Sequence, residues 1–491
     1  MGRAEVKLFQ RAAEDVAEFL KLRLDGKRRI RVFSHLDADG ISAASIIARC
    51  LYSFDVPFSI RFTQPLREDE IASLPADPKD LFIFLDQGSG QLEHIRKSLL
   101  AKRAEVVVVD HHPGLFQEHP GLAILNPHLC GLNGAKDVSA SGGAYAVAES
   151  LDSHFRPLAG LAVAGAIGDR QEFFSGFTGV NEVIAKRAMD LGLIRSEEGL
   201  RLVGRTFLRV VECIRTSTRP YMVGLSGNSV ACRSLVESLG IQLSSSIFEL
   251  QQEEERALAD AIFSRVGALA ASEEFRCTIW GQVYTSMMEE VVGPRDLREQ
   301  AALFDACCSM KKPEVGFAVG AGDESSLEEA RALLSSRQEE MLRTLTWFSK
   351  KLASFKSLGA FKYLYCGSEV NPAMVGEALS LLIESGLITM DKPLIGLTDV
   401  KTGEIKVSAR GTPALAMEGV NIGTALAKST SEVGGFGGGH DVAAGGKIPK
   451  ERMDEFLIKL DHILMEGGKW TTQSSSSTCM KRFPGSRQQW D

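Results

Sequence analysis

From about residue 28 to 195, short β-branched or aromatic runs alternate with segments of helical pattern. The runs cover 31–34, 58–62, 81–85, 106–109 and 122–125, and 81–85 is apolar throughout. Helices are predicted to start after Gly40, Ser89, Ser139 and Arg156, the last with Pro157 at its first position. Such alternation predicts βα units, and so an α/β fold built on a doubly wound, mostly parallel sheet. Ligands of these sheets sit beyond the carboxyl ends of the strands, where the strand order switches. His35, Asp86 and Asp110 all fall on that edge.

The texture then changes twice. Residues 196–355 are richer in helical pattern, with an acidic stretch at 249–256 and a helix-like run over 326–348, and are predicted to form a helical connecting or inserted module. From about 356 to 467 a smaller C-terminal α/β domain is expected. It has a strand at 361–365, a helix at 372–385, two runs joined across Lys401-Thr402-Gly403, a glycine-dense segment between helices at 423–431 and 450–465, and no internal repeat. The tail, 468–491, lacks periodicity and is expected to be disordered or ordered by a partner. The first domain is taken as 1–195.

At 491 residues the chain exceeds the growth of a single core, and 44% apolar content suffices for several. The nine cysteines (50, 130, 213, 232, 277, 307, 308, 366 and 479) are odd in number, scattered and without a Cys-x-x-Cys pair, as in reduced thiols of a cytoplasmic protein. No signal sequence is visible, and the longest small-apolar run, 158–168, falls short of the roughly 20 residues that span a bilayer. A soluble protein with no membrane partner is expected. The net charge of −7 excludes a whole-chain basic signature for nucleic acid, so a polyanion would have to meet a local basic surface. Candidates are Lys311-Lys312, Lys350-Lys351 and the Lys401, Lys406, Arg410 group.

Four acidic or imidazole clusters follow the strand-like or small-residue runs. In an extended segment His35, Asp37 and Asp39 share one face. A helix N-cap would account for Asp39 before Gly40, but not for Asp37 and His35 beside it, because crowded carboxylates without a cation are costly. Asp86 alone reads as a turn residue supporting Gln87-Gly88. Asp110-His111-His112, followed by Pro113-Gly114, combines ligand types with a rigid exit turn, and Asp169 ends a small-residue helix. Together they suggest a dinuclear metal centre. Carboxylate and imidazole donors without thiolate suit Mn²⁺, Mg²⁺ or Zn²⁺, manganese first. Two ions about 3.5–4 Å apart would lower the pKa of a shared water and polarise a phosphoryl group, as in hydrolysis of a phosphodiester or phosphoanhydride.

Near the other end, residues 434–446 are too glycine-rich for a helix or strand interior. Glycines let backbone N–H groups approach a phosphate, His440 could add a donor, and Arg410, ending a predicted strand, could clamp the same anion.

These motifs in this order resemble the DHH phosphoesterase family, in its RecJ-like nuclease branch. The match runs over about 28–195, and the glycine-rich end, with Gly438-Gly439-His440 and Ala443-Ala444-Gly445, resembles the DHH-associated domain, a segment also similar in alanyl-tRNA synthetases. The resemblance implies that His35, Asp37 and Asp86 bind one metal ion, and that Asp39, Asp86, His111 and Asp169 bind the other, with Asp86 as bridge. It also implies that His112 contacts the scissile phosphate while Asp110 orients its neighbours. Asn126-Pro127-His128 through Ser141-Gly142-Gly143-Ala144-Tyr145 is similar to archaeal RecJ-like proteins of the GINS-associated nuclease type, as is 304–313, where relatives usually read Asn-Ala-Cys-Gly-Arg and Asp305, Cys308 and Ser309 depart. The implied activity is a two-metal, manganese-dependent exonuclease acting on single-stranded DNA or RNA in replication or repair. Arg410, Gly438, Gly439, His440 and Ser141 would be its substrate contacts. The alternatives are a replisome scaffold binding GINS in the replicative helicase complex, and a phosphodiesterase of oligonucleotides or cyclic dinucleotides. Manganese pyrophosphatases differ in C-terminal domain and first-motif spacing.

Overall fold

The computed structural model describes residues 3–467 except 25, 27, 173–175, 268, 270, 271, 289–291 and 389. The tail expected at 468–491 lies outside the described residues. By contacts the chain divides into two compact units, one running through Thr346 and including Glu384–Gly386, the other from Trp347 onward.

The first unit is built on five parallel strands: β1 (Arg29–His35), β2 (Phe58–Thr63), β3 (Asp80–Leu85), β4 (Glu105–Val109) and β5 (Leu122–Leu125), in the order β2-β1-β3-β4-β5. The central β3 is buried at every position, which is why from Leu81 to Leu85 its sequence is a continuous apolar run rather than an alternating one. Successive residues serve opposite faces: Val32, Leu81, Ile83, Val107 and Val109 enter one core, and Phe33, Phe82, Phe84, Val106 and Val108 the other. The strand order reverses between β1 and β3, so the doubly wound sheet has its switch point where His35 and Asp86 leave their strands.

Helices Ala38–Ser53, Ala140–Leu151 and Ala159–Gly168 supply the first of these cores. So do Leu297, Ala301, Leu303 and Phe304 from helix Leu297–Ser309 and Val315 and Val319 beyond it, all in the stretch read as a connecting module. An unpredicted helix, Arg3–Lys21, adds Phe9, Ala13, Val16 and Leu20. A further core, from Leu200 to Ile279, sits beside an antiparallel ribbon of β6 (Ile194–Leu200) and β7 (Trp280–Ser286). The run read as helical over 326–348 is helix Leu327–Lys350.

The second unit is a six-stranded mixed sheet of β8 (Lys356–Ser357), β9 (Lys362–Gly367), β10 (Leu394–Asp399), β11 (Glu404–Arg410), β12 (Phe436–Gly439) and β13 (Ala443–Pro449), ordered β12-β13-β11-β10-β9-β8. Only β9 and β10 pair in parallel among these. Helices Ile422–Glu432 and Met453–Gly467 cover its core.

The glycine-rich segment corrects the expectation from sequence. It forms strands β12 and β13, with Gly437 opposite Gly446 and Gly438 opposite Gly445. Close packing accounts for glycines there, since a Cβ on Gly437 would lie 3.0 Å from Thr430 Oγ1 of the covering helix, and one on Gly446 2.7 Å from the Phe436 carbonyl oxygen. Among the described residues no helix is long and apolar enough to cross a membrane, and no cysteine is in a disulfide.

Candidate metal centre

β1 ends at His35, and the helix begins at Ala38, three residues earlier than the start after Gly40 that the sequence suggests. Asp37 is therefore the N-cap, its Oδ1 accepting from the Gly40 N–H at 2.9 Å, while Asp39 lies inside the first turn. Gly40 is required by close approach, because a Cβ there would stand 2.3 Å from the His35 carbonyl oxygen. The shared extended face expected for His35, Asp37 and Asp39 is replaced by a strand end, a cap and a helical turn.

His35 Nδ1 lies 2.6 Å from Asp37 Oδ2 and 3.3 Å from Asp86 Oδ2. The other oxygen of Asp86, Oδ1, lies 3.1 Å from His111 Nε2, which is 3.6 Å from Asp169 Oδ2. Ligand atoms fall within 4.8 Å of one another in three groups: His35, Asp37 and Asp86; Asp39, His111 and Asp169; and Asp86, His111 and His112. Thus the six candidate metal-binding residues come together, with the buried Asp86 presenting one oxygen to each side. Its backbone has φ +57°, a left-handed conformation that non-glycine residues hold only when surroundings enforce it.

Each group is braced. Asp39 is 1% exposed and accepts from the Ala140 N–H at 2.7 Å and the Ser141 N–H at 3.0 Å, at the start of helix Ala140–Leu151. Gly165 makes room for it, since a Cβ would sit 2.6 Å from Asp39 Oδ1. His111 Nδ1 lies 2.7 Å from the Gly134 carbonyl and donates to it, leaving Nε2 free toward the carboxylates. Asp169 is the C-cap of helix Ala159–Gly168, where the helix dipole disfavours an anion unless a cation is near.

Asp110, buried, stands outside these groups. It accepts from His112 Nδ1 at 2.8 Å and from the N–H groups of His111 and Ser89, and holds His112, which is 50% exposed. Burial alone would raise the Asp110 carboxyl, but His112 holds it down at about 2. Asp305, which departs from the pattern of the relatives, lies in helix Leu297–Ser309 and accepts from the Ala38 N–H at 2.9 Å.

Ser141, expected to contact substrate, is corrected by its burial: it has no exposed surface. Its hydroxyl lies 2.8 Å from Ser139 Oγ and 3.1 Å from the Ala162 carbonyl, so it braces Asp39. Sequence reading missed three supports: Ser89; Asn126 as donor to Ser89 Oγ and the His112 carbonyl; and Gln171. Only Asn126, inside a motif already singled out, carried a signal.

The donor set fits divalent cations. Four carboxylates converge; burial first, then Asp37, raises Asp86 above the usual carboxylate range. Burial likewise raises Asp169, against the pull of His111. For His35 burial acts downward, but Asp37 and Asp86 raise it to about 11, and His111 is raised by Asp86 in the same way. Each shift holds a proton in the folded, cation-free chain.

A sign follows for stability. Raised carboxylates lose stability as pH climbs from their unfolded values near 4, and raised imidazoles as it climbs from about 6.5 through their folded values. A cation replaces those protons, so the thermal shift between Mn²⁺ and EDTA should grow between roughly pH 6 and 8.5, by ~1.4 kcal/mol per pH unit for each proton displaced. Thermal unfolding in the two buffers measures it, and a shift that is flat or falls with pH contradicts the assignment.

In the second unit, Lys406, Ser408, Arg410, Gly438, Gly439 and Gly445 line a groove of about 400 Å³. Arg410 lies on Gly376, where a Cβ would meet its guanidinium at 2.6 Å, and donates to Ser380 Oγ at 3.0 Å. Burial, then Arg410 and Lys447, lower the Lys406 ammonium, as expected of clustered cations that an anion would relieve. His440 is exposed at the β12–β13 turn, its N–H donating to the Ala443 carbonyl.

Residues 29–166 match the N-terminal domain of the DHH family, and residues 359–466 match the DHHA1 domain. An uncharacterized protein of Methanocaldococcus jannaschii, MJ0831, is 27% identical over 447 residues, covering 89% of this chain and 93% of that protein. RecJ of Thermus thermophilus, solved in complex with Mn²⁺, aligns with 93% of this chain at a TM-score of 0.54 and 18% identity, the chain spanning 55% of its length. An exonuclease RecJ bound to manganese aligns at 0.55 and 18% identity over 92% of this chain and 94% of its own. CDC45 from Entamoeba histolytica aligns at 0.66 and 10% identity over 93% and 99%. The chain thus carries a DHH-family N-terminal domain and a DHHA1 domain, on a fold similar to those of RecJ and CDC45.

Proposed function

We propose that this protein is a divalent-cation-dependent exonuclease that hydrolyses phosphodiester bonds of single-stranded DNA or RNA, with two ions, manganese first. One observation carries the reading: the two carboxylate oxygens of Asp86 face separate ligand groups, Oδ2 toward His35 and Oδ1 toward His111. His35, Asp37 and Asp86 would hold one ion, and Asp39, Asp86, His111 and Asp169 the other. Bound there, the ions would supply an activated water and neutralise charge on the phosphate. His112, its pKa raised by its hydrogen bond to Asp110, would donate from Nε2 to a phosphate oxygen of the scissile group. Arg410 with the N–H groups of Gly438 and Gly439, and His440 nearby, would bind a second phosphate of the strand.

End-labelled single-stranded DNA and RNA of several lengths, incubated with Mn²⁺ and resolved as product ladders, test this reading. Stepwise shortening from one end is expected. Intact long strands with degraded short ones would instead indicate an oligonucleotide phosphodiesterase, and intact substrates throughout would refute nuclease activity. Arg410→Ala should raise KM about 10–100-fold with kcat little changed, from loss of a charge-assisted hydrogen bond of ~1.5–3 kcal/mol. Steady-state kinetics check it, and an unchanged KM removes Arg410 from the phosphate contacts. Binding to GINS is a separate proposal, resting on the family resemblance, and a pull-down with GINS subunits tests it.

A further inference from the structure

Gln171 is fully buried two residues beyond Asp169. Its Nε2 donates to Asp169 Oδ2 at 2.6 Å and to the Gly134 carbonyl at 2.9 Å, the same carbonyl that accepts from His111 Nδ1, itself 3.4 Å from Nε2. The opposite end of the amide is fixed too, since Oε1 accepts from Asn181 Nδ2 at 2.7 Å. Asn181 is buried as well, and its Oδ1 lies 3.4 Å from the Ser139 N–H, at the cap of the helix whose first N–H groups hold Asp39. One run of hydrogen bonds therefore passes Asp39, His111 and Asp169, the three members of one ligand group. His35 and Asp37 are braced differently, by each other and by Gly40.

The chemistry of the position calls for an amide. Two acceptors, a carboxylate and a carbonyl, face one end, and a donor faces the other, so only a group with N–H on one side and oxygen on the other satisfies all three. A glutamate would set one carboxylate against another. A hydrocarbon would leave Asp169, at a helix C-cap, free to rotate.

We propose that Gln171, oriented by Asn181, is a positioning residue that fixes Asp169 and the Gly134 carbonyl to which His111 Nδ1 donates, for the cation shared by Asp39, Asp86, His111 and Asp169. This rests on the cation site of the proposed function. Partners that orient metal ligands without touching the ion are worth about 10–100-fold in metal affinity.

The test is Mn²⁺ binding by the full chain, followed by calorimetry and by the electron paramagnetic resonance signal of free Mn²⁺. The unmodified chain should take up two ions. Gln171→Met should weaken one site about 10–100-fold and leave the other unchanged, with the circular dichroism spectrum in EDTA unaltered. Asn181→Asp, close in volume, covers the case in which Gln171→Met does not fold. It removes the donor to Oε1, so the Gln171 amide turns its oxygen toward Asp169 and the same single site should weaken. A merely structural role would not remove one site selectively. Folded variants that bind both ions with unmodified affinities overturn the proposal, and an unmodified chain that binds no Mn²⁺ overturns the cation site itself and the proposal with it.

Discussion

Asp86→Ala is expected to lower Mn²⁺-dependent cleavage of labelled single strands by at least about 10³-fold, the upper range for one preorganised electrostatic group. The residue is 2% exposed, and its two oxygens face His35 and His111, so its loss takes a ligand from both groups at once. Mn²⁺ binding should weaken at both sites, unlike the selective effect expected at Gln171. Folding should survive in EDTA, because the substitution removes a buried carboxylate that repels Asp37. Asp86→Asn is the control for backbone strain, since asparagine tolerates the left-handed conformation at φ +57°. Cleavage by Asp86→Ala at the unmodified rate would refute the bridging role.

His112→Ala should lower kcat about 10²–10³-fold while leaving both Mn²⁺ sites intact. The half-exposed imidazole donates through Nδ1 to Asp110, and in the proposed function its Nε2 would meet the substrate. The Asp110 hydrogen bond is the main cause of its raised pKa. Asp110→Asn should therefore shift the alkaline limb of the rate profile to lower pH, because His112 then loses its proton earlier. His112 also belongs to a third ligand group with Asp86 and His111, its Nδ1 3.8 Å from Asp86 Oδ1. Calorimetry separates the roles: a lost Mn²⁺ site in His112→Ala would make it a ligand instead of a phosphate donor.

The elements legible in the sequence were those whose burial is simple. β3 and β4 are legible because both faces are covered and their runs are apolar, and edge strand β2 because its partly buried Phe58, Ile60 and Phe62 alternate with the exposed Ser59 and Arg61. Helix Arg3–Lys21 is legible in principle from the spacing of Phe9, Ala13, Val16 and Leu20, although it lies ahead of the first strand signal. β6, with Arg195, Glu197 and Glu198 in it, has no strand pattern, and exists because it pairs with the distant β7. β12 and β13 defy residue propensity because their glycines admit the covering helix, a tertiary reason that local sequence does not display.

The candidate ligands were visible because acids and imidazoles at strand ends have few cheaper explanations. Their supports were not. Gln171 and Ser141 are ordinary polar residues whose roles arise only when the chain returns to the sheet edge, one bonding Asp169 and the other giving Asp39 a backbone N–H.

Anomalous scattering at the manganese edge, from crystals grown with Mn²⁺, tests the central claim most directly. Two peaks are expected, one among His35, Asp37 and Asp86 and one among Asp39, Asp86, His111 and Asp169, with an Asp86 oxygen on each. A map with no peak at those side chains, or with ions bound elsewhere and these groups apart, would contradict the account.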